Sequence, residues 1–426
     1  MKASYRWILG LGLLMCLFWG VAACGNNIPS GEEGTSESVV GTEGSSSTEG
    51  TSGQEPTTGS EATTGPESSV GPEPSLGPEP TIGPEAGSEP SVGPEPSVGP
   101  EAGPEPQVGP EAGPEPSTGP EPNPSASDYT KPGPLQVKDL ANISHKAPSS
   151  TGCSGRFCNV TLYVTVPTAG QGSRQAPYPL AIISNGFQLK ATQYKSYATA
   201  LAKWGYVVVR WDTNQENPLS YVRHDVLGKL LASLVSWAEQ ENKGTGDLKG
   251  LIDTTKVAMV GHSRGGKASA LAAQAEPRVV AFFGIDPVDS NPPLSSFAIS
   301  AVKTMSKTKA AVAVVGADKS ASGFQPCAPA KDNYEKFYNA ASSPAWEIFL
   351  KNVGHMQFLD NRSSCGLTCL ACANGSAKDS DVRAITQTAM IAWLERAIRQ
   401  ANISTYLTGS WIQGLQQSGS LQSRNK

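Results

Sequence analysis

A serine flanked at two residues on either side by glycine, Gly261-His262-Ser263-Arg264-Gly265, has the spacing of a turn that pushes a hydroxyl out to attack an acyl carbon. The glycines suit it because a strand entering and a helix leaving so tight a turn approach too closely for side chains. Such a hydroxyl is a poor nucleophile until a base takes its proton and a carboxylate orients that base. Four histidines are available. His145 precedes the expected core, His262 lies within the turn and is expected to point away from Ser263, and His224 opens an expected helix, beside Asp225, at the surface. His355, in Val353-Gly354-His355-Met356, follows the last expected strand and completes the chain order serine, acid, histidine, so it is the candidate base. Asp286 in Gly284-Ile285-Asp286-Pro287-Val288-Asp289 and Asp318 in Gly316-Ala317-Asp318 each end an apolar run, where sites of parallel sheets form, and the pattern leaves the choice open.

These residues need a scaffold that brings strand ends together. Apolar runs predict strands at Asn159 to Val166, Leu180 to Ser184, Val207 to Trp211, Val257 to Val260, Val279 to Ile285, Ala311 to Val315 and Trp346 to Leu350. Helical patterns fall at Tyr194 to Lys203, Arg223 to Glu241, Gly265 to Ala275, Lys331 to Ala341 and Asp379 to Arg399. Strands apolar throughout, with helices between them, predict a mainly parallel central sheet with helices on both faces. One α/β domain is expected over 135–401, with 402–426 as a polar C-terminal tail.

The N-terminal 134 residues read differently. Lys2 and Arg6 precede an apolar run from Trp7 to Ala23, the order of a secretory signal, and the run is shorter than the about 20 apolar residues of a spanning helix. It ends in Val21-Ala22-Ala23-Cys24, where small residues admit a signal peptidase and free the Cys24 thiol for acylation. The expectation is an exported bacterial lipoprotein, held to its membrane by lipid on Cys24 and facing the periplasm or the exterior. From Cys24 to residue 134, Pro, Glu, Gly, Ser and Thr dominate, with units such as Gly77-Pro78-Glu79-Pro80. This segment cannot bury a core and is expected to be a disordered, solvated stalk.

Charge divides the chain at the same place. Of 38 acidic and 33 basic residues, 18 Glu and Asp128 but no Lys or Arg lie between Gly25 and Thr130, and only Lys2 and Arg6 precede them. Beyond Thr130 that leaves 31 basic against 19 acidic residues. The basic residues are scattered without a dense run, which argues against a nucleic-acid partner. Of eight cysteines, Cys16 lies in the signal and Cys24 carries the lipid. The remaining six suit disulfides outside the cytosol: Cys153 with Cys158 in a small loop, and Cys327 with one of Cys365, Cys369 and Cys372. Zinc at that triplet is the rival, and it lacks a local histidine other than His355.

Several motifs together resemble the chlorophyllase family in order and spacing: Gly261-His262-Ser263-Arg264-Gly265-Gly266-Lys267, Gly284-Ile285-Asp286-Pro287-Val288-Asp289, Pro326-Cys327-Ala328-Pro329, Pro344-Ala345-Trp346, Gly354-His355-Met356-Gln357-Phe358-Leu359-Asp360 and Cys369-Leu370-Ala371-Cys372-Ala373-Asn374-Gly375. The resemblance implies an α/β-hydrolase fold, a serine esterase with an acyl-enzyme intermediate, and Asp286 as the acid of a Ser263, Asp286, His355 triad. Gly186-Phe187, Trp204-Gly205-Tyr206-Val207-Val208-Val209 and Asp212-Thr213-Asn214 are more weakly similar to bacterial cutinase-like polyester hydrolases. Both resemblances imply an oxyanion hole made by the backbone amides of Phe187 and Arg264. Gln357 departs from the chlorophyllase pattern, which usually has Asp there. The expected substrate is an ester (a lipid, a small ester or a polyester), with no cofactor and no metal. An acyltransferase or peptidase would use the same residues. A non-catalytic surface-displayed binding module on this fold is the reading from another class, and the complete Ser, Asp and His set argues against it.

Overall fold

The computed structural model describes residues 127–426 apart from 169, 171–173, 214–219, 292–297 and 324–325. The expected signal, Cys24, the stalk as far as residue 126, and Asn214 lie outside the described residues.

Among the described residues ten strands form one sheet: β1 (Val137–Asp139), β2 (Ile143–Lys146), β3 (Asn159–Pro167), β4 (Tyr178–Ser184), β5 (Val207–Thr213), β6 (Ile252–His262), β7 (Val279–Ile285), β8 (Ala311–Ala317), β9 (Ala345–Leu350) and β10 (Leu421–Asn425). The main order is β1-β3-β5-β4-β6-β7-β8-β9-β10, with β2 beside β3. From β5 to β9 every neighbouring pair is parallel, while β1, β2, β3 and β10 pair antiparallel at the two sides. Parallel neighbours require crossovers, and helices α1 (Lys195–Lys203), α2 (His224–Lys243), α3 (Arg264–Ala275) and α4 (Tyr334–Ala340) supply those that follow β4, β5, β6 and β8. Helices α5 (Gly366–Leu370), α6 (Asp379–Arg399), α7 (Ser404–Leu407) and α8 (Ser410–Gln417) follow β9.

The period of two along a strand divides the apolar residues between two cores. Ala181 and Ile183 of β4, with Ala258 and Val260 of β6, pack towards Tyr197 and Leu201 of α1 and Trp393 of α6. Leu180, Ile182, Val257 and Met259 face the other way, towards Leu230 and Leu234 of α2, Ala272 of α3 and Phe337 of α4. The central strands are therefore buried on both faces, as uninterrupted apolar runs predict. Because β4 leads to β5 on one side and the chain then returns to β6 on the other, the direction of winding reverses between β4 and β6. In such sheets a crevice opens there, beyond the carboxyl ends of the strands.

Both expected limits of the domain need correction. Tyr129, within the expected stalk, is buried, its ring against Trp204 (4.8 Å) and Tyr406 (5.3 Å), and its amide donates to Tyr406 Oη at 2.7 Å. Residues 402–426 are not a tail: they form α7, α8 and β10, and β10 pairs residue by residue with β9 from Leu421 opposite Leu350 to Asn425 opposite Trp346. Only Leu421 of β10 is buried, so the strand is held by backbone pairing and by side chains such as Arg424, which donates to Glu347 from Nε at 2.8 Å. His145 likewise lies in the sheet, on β2.

Leu421→Ala is expected to lower the free energy of unfolding in urea by about 2–3 kcal/mol, the cost of removing a buried leucine side chain. A solvated tail would leave it unchanged.

Candidate active site

β6 runs directly into α3, and Ser263 alone makes the turn, with φ 56° and ψ −126°. Non-glycine residues rarely adopt such a backbone, and the neighbours show why this one must. A Cβ on Gly261 would stand 2.3 Å from the Gly265 carbonyl oxygen, and one on Gly265 would stand 2.3 Å from that of Ser184 at the end of β4. The helix start is thus pressed onto the strand end, and the Ser263 side chain is partly exposed.

The turn is also fastened to the next strand. Ser263 N donates to Ile285 O at 3.0 Å, and Ser263 O accepts from Gly266 N at 2.9 Å and Val288 N at 3.1 Å. These bonds bracket Asp286, itself at φ 40°. The Asp286 carboxylate is completely buried: Oδ2 accepts from His355 Nδ1 at 2.7 Å and from the Ser320 hydroxyl, and Oδ1 accepts from Ala317 N at 3.3 Å. Since an ionised carboxylate only accepts, His355 carries its proton on Nδ1 and keeps a lone pair on Nε2. Asp318 does not meet His355. Its Oδ1 accepts from Val353 N at 3.0 Å, steadying the loop from β9 towards His355.

His355 stands in that loop, held from behind. Gln357 accepts from Gly354 N (2.8 Å) and Gly375 N (2.7 Å) through Oε1, and donates to Ala377 O (2.6 Å) and Asp379 Oδ1 (3.1 Å) through Nε2. An aspartate there could not make the two donor bonds. All six cysteines beyond residue 126 are paired, as Cys153–Cys158, Cys327–Cys372 and Cys365–Cys369, so the triplet's sulfurs are engaged in disulfides. The second ties the segment after β8 to the residues backing Gly354.

Phe187 and Arg264 also meet: the Arg264 guanidinium lies over the Phe187 ring, 5.2 Å from its centroid, bringing the loop after β4 against the start of α3. The structure therefore gathers Ser263, Asp286, His355, Phe187 and Arg264 at the carboxyl ends of β4, β6, β7 and β9.

A model of the chlorophyllase family matches residues 152–407, more than half of the chain. The chain belongs to the chlorophyllase family. It is 27% identical to Chlorophyllase-1 of Arabidopsis thaliana over 256 residues, 55% of this chain and 75% of that protein. Chlorophyllase-2 of the same plant is 24% identical over 204 residues, 44% of this chain and 62% of that protein. The chlorophyllase match covers Ser263, Asp286 and His355 and ends before α8 and β10.

Several supporting residues escaped the sequence reading. Lys267, fully buried one turn into α3, donates to Asp289 O (2.7 Å) and Asn291 Oδ1 (3.0 Å), with Asp289 Oδ1 at 3.6 Å, and so pins the loop that follows Asp286. Its position four residues after Ser263 was the available signal. Ser320 had none. His224, expected at the surface, is buried at the start of α2.

Burial holds both His262 and His224 well below the ordinary imidazole range, with the His355 ring adding to the effect on His262, and Lys267 and Arg264 to that on His224. In the unfolded chain both titrate near 6.5. Below that pH the unfolded state binds more protons, so stability present above pH 6.5 is lost as pH falls, by about 1.4 kcal/mol per pH unit for each histidine until its folded pKa is reached. Urea unfolding of His224→Gln between pH 7 and 5 is therefore expected to show a slope shallower than wild type by about that amount. Parallel slopes would mean that His224 takes up its proton as readily in the folded protein as in the unfolded chain.

Proposed function

We propose that this chlorophyllase-family chain is a carboxylic-ester hydrolase of α/β-hydrolase architecture that works through a Ser263, His355, Asp286 triad. The observation carrying this reading is the buried bond from His355 Nδ1 to Asp286 at 2.7 Å, in the same cluster of strand ends as the strained Ser263 turn. With Nδ1 so engaged, His355 Nε2 takes the Ser263 proton as Oγ adds to the ester carbonyl. The amides of Phe187 and Arg264 hold the oxygen that becomes negative, aided by the positive N-terminal end of α3. The same imidazolium then protonates the departing alcohol, leaving an acyl group on Ser263. Water, deprotonated by His355, releases the acid and restores the serine. Ser320 and Ala317 N keep the Asp286 carboxylate aimed throughout.

The relatives' names point to chlorophyll as one ester to test. The N-terminal sequence supports export and lipidation at Cys24, and an enzyme displayed there would meet exogenous esters, lipids and polyesters. The acidic, proline-rich stretch before residue 127 would then serve as a stalk between membrane and domain.

Full-length protein is expected to hydrolyse para-nitrophenyl acyl esters and to be labelled by a fluorophosphonate, with both lost in Ser263→Ala. A wild-type protein inert to every chain length and unlabelled would overturn the reading. Asp286→Asn should lower kcat by about 10³–10⁴-fold and Asp318→Asn by less than about tenfold, because only the former leaves the imidazole without its orienting carboxylate. Relative rates on chlorophyll, short esters and a polyester film then assign the substrate. Cys24→Ala is expected to shift the protein from the membrane fraction to the supernatant, and its retention in the membrane would exclude lipid on Cys24 as the anchor.

A further inference from the structure

His262, beside the proposed nucleophile, has a completely buried side chain with a partner on each ring nitrogen. Its Nε2 lies 3.0 Å from the backbone carbonyl oxygen of His355, and its Nδ1 lies 2.7 Å from Tyr194 Oη. A carbonyl oxygen only accepts, so Nε2 carries the proton. Burial keeps the ring neutral, so Nδ1 offers a lone pair, and the Tyr194 hydroxyl must donate to it. Tyr194 is equally enclosed, its hydroxyl pushed far above the usual phenol range, and its oxygen accepts from Gly186 N at 3.2 Å. The bonds run in one direction, from Gly186 N–H to Tyr194 O–H to His262 Nδ1, then from His262 Nε2–H to His355 C=O.

The residues joined are the neighbour of Phe187, the neighbour of Ser263 and His355 itself. The loops bearing Phe187 and His355 leave the sheet at β4 and β9, with β6, β7 and β8 between them. We infer that Tyr194 and His262 are positioning residues that fix the backbone of His355 relative to the loop bearing Phe187. This rests on the esterase function proposed above. Neither side chain touches the reacting atoms. Their effect is on geometry, and a displacement of about 1 Å of a catalytic group can cost on the order of 100-fold in rate.

Two replacements of His262 separate this role from simple packing. The oxygen of the shorter amide in His262→Asn takes the place of Nδ1 and still accepts from Tyr194, but it cannot reach the His355 carbonyl. The amide nitrogen in His262→Gln takes the place of Nε2 and can still donate to that carbonyl. With rates expressed per site titrated by a fluorophosphonate, His262→Asn is expected to lower kcat on an alkyl ester by about 100-fold with KM within about threefold, and His262→Gln to recover at least about tenfold of that loss. The loss should be smaller on a para-nitrophenyl ester, whose leaving group departs without a proton from His355. Wild-type rates per titrated site in His262→Asn, equal impairment of the two variants, or equal losses on both esters would overturn the positioning role. If His262→Asn does not fold, Tyr194→Phe serves in its place, with an expected loss of about tenfold in kcat, and no loss per titrated site would overturn the role equally.

Nitrogen-15 NMR of histidine-labelled protein, with His262 assigned by its absence from His262→Gln, tests the bond chain without turnover. Protonation on Nε2 alone at pH 7 is expected, and a proton on Nδ1 would overturn it. A wild-type protein without esterase activity removes the proposed function and the positioning role together, while the NMR result still decides whether the bond chain exists.

Discussion

Between β6 and α3 the backbone changes course within one residue, and Ser263 carries the change at φ 56°, a conformation costing on the order of 1–3 kcal/mol. That cost is sustained because the surroundings leave no alternative. The amide and carbonyl of Ser263 are bonded to Ile285, Gly266 and Val288, and the two glycines beside it touch backbone oxygens. The bonds that hold the serine out are also those that fix where β7 ends, and hence where Asp286 begins.

Outwards from Ser263 the polar groups are arranged as closed sets. Asp286 receives three donors, Gln357 spends all four of its hydrogen-bonding positions, and buried Lys267 meets three acceptors besides the nearby Asp289 carboxylate. Buried polar groups left unpaired cost about 1–3 kcal/mol each, so such sets tolerate little displacement of any member. The energetic consequence is a rigid rear to the cluster and a more open front, where Ser263 and Phe187 are only partly covered.

The legible and illegible parts of this arrangement follow from how far apart the cooperating residues lie. The seven central strand positions and Asp379–Arg399 were readable because each is one contiguous run with its own period. Ser263 and His355 were readable because a local turn pattern and a count of four histidines left few choices. Asp286 against Asp318 was not decidable from pattern, since both end strands in the same way and the difference lies in which one faces the His355 loop. Ser320 and the Tyr194 to His262 contact are pairings across 34 and 68 residues with no local signature. β10 was missed for a different reason: Leu-Gln-Ser-Arg-Asn has one buried side chain, and its order comes from the backbone edge that β9 offers.

That edge also bears on how the molecule comes to be made. The outermost bonds of the sheet join Ala345 to Lys426 in both directions, so β9 keeps one row of amides and carbonyls unmatched until residues 421–426 have been synthesised. A chain emerging N-terminus first therefore holds a nearly finished sheet with an open flank from the moment β9 is made until β10 follows it. An open flank of this kind invites pairing with another chain. β10 thus acts as a seal, and its arrival turns a sticky edge into a paired one.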